Sequence, residues 1–114
     1  MKPILRGEIY LAVLDDTIGS EQTGLRPVII LQNDLLNQHS PTTIVVPVTS
    51  ILKHPYMKTH CVLPRENPLP EKFMALAEQI RTVDRRRLGA YIGRLRPMEI
   101  REIEQALRFA LGLA

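Results

Sequence analysis

Three groups of residues in this sequence are of the types that handle a phosphate. Arg26 stands in GSEQTGLRPVIILQND (19–34), between a polar loop bounded by Gly19 and Gly24 and a hydrophobic run. Pro27 biases the residue before it toward extended backbone, so Arg26 is presented at the mouth of a strand. PTTIVVPVTS (41–50) ends a buried-looking run in two hydroxyls, Thr49 and Ser50, and Glu78 lies in ALAEQIRTV (75–83). A guanidinium offers a planar fork of donors matched to phosphate oxygens. A hydroxyl adds a further donor, and a carboxylate can accept a proton.

Such a set suits RNA, which carries its own nucleophile in the 2′-hydroxyl. Cleavage by that route needs the 2′ proton removed, charge on the pentacoordinate phosphorus neutralised and the 5′ leaving oxygen protonated. Arginine stays protonated at ordinary pH. Arg26 is therefore cast as an electrostatic stabiliser, with proton donation to the leaving oxygen as a second capacity. The proton acceptor is left open among Glu78, an arginine and water. The plainer reading of the same residues is a surface arginine, turn hydroxyls after a strand and a solvent-facing glutamate.

Other chemistries find little support. His39, His54, His60 and Cys61 are scattered, and there is no HExxH, CxxC or carboxylate cluster, so no metal site is expected. Cys61, alone in an apolar stretch, reads as a core residue. Gly19 and Gly24 are not followed by Lys-Ser/Thr or by a helix, which excludes a nucleotide-binding phosphate loop. The single cysteine forbids an intrachain disulfide and fits a reducing compartment. No signal peptide or membrane span is evident, so a cytoplasmic location away from membranes is expected.

The elements that must position these residues are short. The 114 residues suit one domain, residues 1–114. Hydrophobic content is 45% with five aromatics and no tryptophan, so the core is aliphatic. Net charge is +3, unevenly spread: Arg81, Arg85, Arg86, Arg87, Arg94 and Arg96 stand against Asp84 alone over residues 79–96. Such a cluster suits a polyanion or an acidic protein segment, or is simply a solvated face. Nine prolines and six glycines punctuate short apolar runs, which predicts a β-rich fold. Strands are expected at Glu8 to Leu14, from Arg26, from Thr42, at Thr59 to Pro64, across Phe73 to Val83 as one longer strand, and at Ala90 to Leu95. Pro47 marks an edge or a bulge. Asp34 is placed to cap a short helical turn, and Arg65 to Lys72 reads as a loop. From Pro97 onward, Ile100, Ile103, Leu107, Ala110 and Leu111 fall at helical spacing. Pro97 suits the first turn, Glu99 the positive end of the dipole, and Glu104 with Arg108 an i,i+4 pair. The expectation is a small barrel or half-barrel that hides its edges, covered by one amphipathic C-terminal helix.

Four fragments, RGEIYLAVLD (6–15), GSEQTGLRPVIILQND (19–34), SPTTIVVPVTS (40–50) and ALAEQIRTVDRRRLGAYIGRL (75–95), resemble in order and spacing the MazF/PemK (Kid) family of bacterial toxins. These are ribosome-independent mRNA interferases of type II toxin–antitoxin systems. The resemblance implies a mainly β, SH3-like barrel with short helices and a C-terminal helix, acting as a homodimer. It implies cleavage of single-stranded RNA without metal or other cofactor, leaving a 2′,3′-cyclic phosphate or 3′-phosphate and a 5′-hydroxyl. Carried over by position, the catalytic residues are Arg26 and Thr49, with Ser50 alongside and Glu78 at the acidic position before Gln79. Ser20, Glu21, Gln22 and Gln79 match positions associated with RNA contact. Arg81, expected on the same strand face as Gln79, joins them. A cognate antitoxin with a flexible acidic tail is the implied inhibitor, and promoter DNA is reached only through the antitoxin complex. The chain has Ser20 where the Kid-like branch has His, Leu76 where it has Arg, and Asp15-Asp16 where relatives often have Asp-Pro; these place it nearer the MazF branch.

Two other classes compete with this reading. A CcdB-like gyrase poison has the same fold, but it relies on a C-terminal tryptophan and lacks the Gly-x-Arg-Pro loop. A non-catalytic RNA- or protein-binding barrel would not need Arg26, Thr49, Ser50 and Glu78 together.

Overall fold

The computed structural model describes residues 3–63 and 72–114. The loop expected at Arg65 to Lys72 falls almost wholly outside them. The elements run β1 (Glu8–Leu14), β2 (Gly24–Ile30), α1 (Asp34–His39), β3 (Thr42–Thr49), β4 (His60–Val62), β5 (Met74–Leu76), β6 (Arg81–Asp84), β7 (Leu88–Arg94) and α2 (Pro97–Leu111), with 3-10 turns at Ala77–Gln79 and Arg85–Arg87. The sheet is antiparallel, ordered β4-β5-β3-β2-β1-β7, with β6 also paired to β3. Irregular register between β1 and β7, at Ile9/Tyr10 and Tyr10/Ala12, adds the local twist that curls such a sheet. This is the SH3-like barrel architecture with a C-terminal helix that the sequence implied.

The central strands β1, β2 and β3 bury side chains on both faces, which is why they read as continuous apolar runs rather than alternating ones. Ile9, Ile29, Val46, Val48 and Ala75 pack with Leu63, Phe73, Leu95 and Ile103 of α2 in one core. Tyr10, Ala12, Leu14, Val28, Ile30 and Val45 form the other, closed by Ile4 and Val83. Helix α2 thus lies over the first core, with Ile103 and Ala106 buried and Ile100 and Leu107 packed beside them. The expected apolar stripe stops there: Leu111 and the off-stripe Phe109 and Leu113 are exposed. The start of α2 is fixed by Pro97 in its first turn and by Glu99, whose Oε1 accepts from the Arg96 N–H at 2.9 Å. Its end is a left-handed Gly112 (φ 68°), with the Leu113 N–H donating to the Arg108 carbonyl at 2.8 Å.

Several local expectations are corrected. Residues 73–83 are not one strand. Val48 faces Ala75 and Val45 faces Arg81, so three steps along β3 correspond to six along the opposing chain. The surplus is the three-residue turn Ala77–Gln79. Gln79 and Arg81 therefore do not share a strand face. Pro47 lies within a strand paired on both sides, yet its missing N–H is accommodated. Leu31 N–H donates to the Ile44 carbonyl and ladder bonds alternate, so position 47 directs its amide away from β2, toward the edge interrupted by the turn. The cap of α1 is Asn33, whose side chain accepts from the Leu36 N–H at 2.9 Å. Asp34 instead accepts from the Arg6 N–H at 2.7 Å. Glu104 pairs with Arg6 at 2.7 Å rather than with Arg108, which reaches the Ala114 carbonyl. Arg6 Nε also donates to the Leu31 carbonyl, tying the chain start, the end of β2 and α2 together.

Candidate functional site

A cleft of about 420 Å³ opens where the loop before β2, the end of β3 and the Ala77–Gln79 turn meet. Arg26, Thr49 and Glu78 all line it, with Ser20, Gln22 and Gln79. Their convergence follows from strand order. β2 and β3 are direct neighbours running antiparallel, so the start of β2, where Arg26 sits, lies beside the end of β3, where Thr49 sits. The interrupted partner strand brings Glu78 to the same end.

Each side chain has a defined local role. Arg26 Nε donates to the Thr23 carbonyl at 2.9 Å, which ties the arginine to its own loop. Thr49 is nearly buried and its hydroxyl oxygen accepts from the Ile51 N–H at 3.1 Å, the turn chemistry of a strand end. The same hydroxyl keeps its proton to donate into the cleft. Ser50, although adjacent, is exposed and does not line the cleft.

Gln79 reaches up into the loop. Its Oε1 accepts from the Gln22 N–H at 2.7 Å and its Nε2 donates to the Ser20 carbonyl at 3.2 Å. The polar loop is thereby fastened to the 3-10 turn beneath it. Glu21 braces the loop from within, accepting from the Ile18 N–H at 2.8 Å. Gln22 Oε1 is buried without a hydrogen-bond partner. A second cavity of about 350 Å³ adjoins the cleft through Gln22, Glu78 and Gln79, and Glu21 and Arg81 line it. The remaining arginines of the basic cluster do not gather there. Arg85 and Arg86 line a cavity with Tyr10 and Tyr91, and Arg94 and Arg96 another with Arg6 and Arg101.

Six further residues line the cleft beyond those the sequence pointed to: the apolar Ile51, Met74 and Leu76, and the polar Lys53, His54 and His60. His60 is the most intimate of them. Its Nε2 lies 2.8 Å from Glu78 Oε2 and its Nδ1 2.9 Å from the His54 carbonyl. The neighbour in the strand, Cys61, points the other way. Its thiol contacts the Glu102 carbonyl of α2 at 3.5 Å, and burial pushes it up to about 11. A thiol so protonated is no nucleophile at neutral pH. Among the described residues no group of three or more His, Cys, Asp or Glu side chains is placed to hold a metal ion. None of their helices is long and apolar enough to cross a membrane.

Comparison with known proteins agrees with this architecture. Residues 5–111 match the family model described as PemK-like, MazF-like toxin of type II toxin–antitoxin system. An endoribonuclease from a mycobacterial species superposes with a TM-score of 0.82 at 27% identity, covering 99% of this chain and 95% of that one. A mycobacterial endoribonuclease solved in complex with its cognate antitoxin gives 0.83 at 28% identity, with 97% of each chain covered. MazF from Deinococcus radiodurans, at 24% identity, shares the fold with a TM-score of 0.87 over 99% of this chain and all of that one. With a match spanning nearly its whole length, the chain belongs to the PemK-like, MazF-like toxin family of type II toxin–antitoxin systems.

Proposed function

We propose that this toxin is a sequence-specific endoribonuclease that cuts single-stranded mRNA without a metal ion, and so stops translation and growth. The observation that carries the reading is the convergence of Arg26, Thr49 and Glu78 on one cleft from three separate elements. The likeness to endoribonucleases at 27% and 28% identity supports it. Arg26 stabilises the charge that develops on phosphorus, and the Thr49 hydroxyl adds a donor. Glu78 exchanges a proton with the reacting oxygens. Ser50 lies alongside Thr49 at the strand end, where its exposed hydroxyl can meet the RNA outside the cleft. Ser20, Glu21, Gln22, Gln79 and Arg81 form the walls along which the strand lies. The products are a 2′,3′-cyclic phosphate, or the 3′-phosphate from its hydrolysis, and a 5′-hydroxyl.

The active form is a homodimer, and a cognate antitoxin silences it by laying a flexible acidic tail on the toxin. One similar endoribonuclease was solved with its antitoxin, and the net charge of +3 suits an acidic partner. Promoter DNA is reached through that complex alone.

The test is a digest of long mixed-sequence RNA in excess EDTA, wild type beside Arg26→Ala, with product ends identified. Wild type should cut and leave 5′-hydroxyl ends. Arg26→Ala should lose about 10²–10³ in rate, as for a lost oxyanion donor. A wild-type protein that cuts no such RNA, or an Arg26→Ala variant as fast as wild type, would overturn the assignment.

A further inference from the structure

Glu78 is the carboxylate of the cleft, and His60 holds one of its oxygens. The histidine is set by two elements at once. It opens β4, where it is paired with Leu76 of β5, two residues before Glu78. Its Nδ1 faces the His54 carbonyl, which also accepts from the Met57 N–H at 3.1 Å. His54 adopts a left-handed backbone (φ 52°), a conformation uncommon for a residue with a side chain. The imidazole is only 7% exposed, whereas the Glu78 side chain is 35% exposed. The buried partner therefore grips the exposed one from behind.

Both ring nitrogens face acceptors: a carbonyl at 2.9 Å and a carboxylate oxygen at 2.8 Å. A neutral imidazole has one N–H, so only the imidazolium donates to both. Donation to Oε2 fixes the plane of the carboxylate. It leaves Oε1, which has no hydrogen bond among the described residues, as the oxygen turned to a ligand. Arg26, Lys53 and His54 line the same cleft, and Glu21 and Arg81 the adjoining cavity. Arg26 already has a phosphate-directed role, and arginine does not give up its proton. Among the residues that line the cleft Glu78 is the one carboxylate, and it alone is gripped by a buried partner.

We propose that His60 is the positioning residue for Glu78, aiming it so that Oε1 takes the 2′-hydroxyl proton of the RNA. This deepens the ribonuclease reading and rests on it. As the proton passes to Oε1, O2′ bonds to phosphorus and the P–O5′ bond breaks with its electron pair on O5′. The 5′ oxygen takes a proton from water, and Glu78 returns its own to the hydroxide left behind. Atoms and charge balance, and the pair ends as it began.

The test compares His60→Gln with His60→Leu. Both fill the buried space, but only the carboxamide can donate to Glu78. Initial rates on a defined single-stranded RNA, with thermal midpoints measured beside them, give kcat and KM. His60→Leu should lose about tenfold or more in kcat with KM little changed, since a positioned base contributes about 10²–10⁴. His60→Gln should recover most of that loss. The decisive arm combines His60→Leu with Glu78→Ala: because His60 acts through Glu78, the double variant should be no slower than Glu78→Ala alone. Additive losses, equal losses in the Gln and Leu variants, or a Glu78→Ala variant with wild-type kcat would overturn the proposal. A wild-type protein that cuts no RNA would instead sink the ribonuclease reading itself.

Discussion

Replacing Gln79 by alanine should unfasten the loop over the cleft while leaving the barrel intact. The carboxamide makes two hydrogen bonds across the gap, to the Gln22 N–H at 2.7 Å and to the Ser20 carbonyl at 3.2 Å. Each is worth about 0.5–1.5 kcal/mol net, so together about 1–3 kcal/mol holds the loop down. Amide exchange at Gln22 should then accelerate by about 5- to 150-fold, since 1.4 kcal/mol is a factor of ten. The loop's own bonds, Glu21 N–H to the Ile18 carbonyl and Ile18 N–H to Glu21 Oε1, are untouched. Val46, in the middle of β3 and fully buried, serves as the internal standard. The measurement is residue-resolved hydrogen exchange on wild type and Gln79→Ala under identical conditions. Unchanged exchange at Gln22 would show that the two bonds do not hold the loop. Equal acceleration at Gln22 and Val46 would show global destabilisation instead.

Further outcomes are expected elsewhere in the fold. Gly7 has φ 91°, and a Cβ there would come within 2.6 Å of Ile100 Cδ1. Gly7→Ala should cost about 1–3 kcal/mol in denaturant unfolding, and Ile100→Val should relieve the clash but not the backbone strain; a neutral Gly7→Ala would contradict this. Arg6→Ala should cost about 1–3 kcal/mol, because it removes the bond to the Leu31 carbonyl as well as the Glu104 pair. A double-mutant cycle with Glu104→Ala should isolate only about 0.2–1 kcal/mol for the pair; a larger coupling would mean that the ion pair, not the carbonyl bond, carries most of the Arg6 contribution. Cys61, pushed by burial from 9.0 to about 11, should alkylate with iodoacetamide about 100-fold more slowly than an exposed thiol. Because its folded value is raised, its contribution to stability is complete below pH 9.0 and is lost as pH rises toward 11. The stability difference from Cys61→Ala should shrink across that window, and a constant difference would refute the assignment.

The sequence was most legible where one element sets a residue's place. Arg26 before Pro27, and Thr49 at the end of a β-branched run, were readable as strand-end positions, and neighbouring antiparallel strands bring such ends together. The helical period from Pro97 held because Ile103 meets a core, whereas Leu111 and Phe109, beyond that core, stay in solvent despite their hydrophobicity. What composition could not show was the break in 73–83. FMALAEQIRTV contains no glycine, proline, asparagine, aspartate or serine to mark a turn, and the competition between β5 and β6 for the same edge of β3 forces three residues out of the ladder. The His60–Glu78 contact was hidden for the same reason. It depends on the β4–β5 register, which joins positions 18 residues apart through a segment with no periodic signal. The Glu104–Arg108 pair failed because a long-range partner, Arg6, lay closer than the local one.

In an unbroken strand, adjacent side chains point to opposite sides, and a dipeptide can serve only one surface with one of its members. The Ala77–Gln79 turn lifts that restriction: Glu78 and Gln79, consecutive in sequence, both line the cleft. It also separates function from ladder stability. The cross-strand pairs to β3 end at Ala75 and resume at Arg81, and Pro47 on the facing strand has no amide to satisfy there. Substitutions at 78 and 79 therefore break no rung of the sheet. Reactivity and loop fastening can drift independently without re-registering the barrel, and a library randomised at these two positions should return variants that differ in how fast they cut while melting alike.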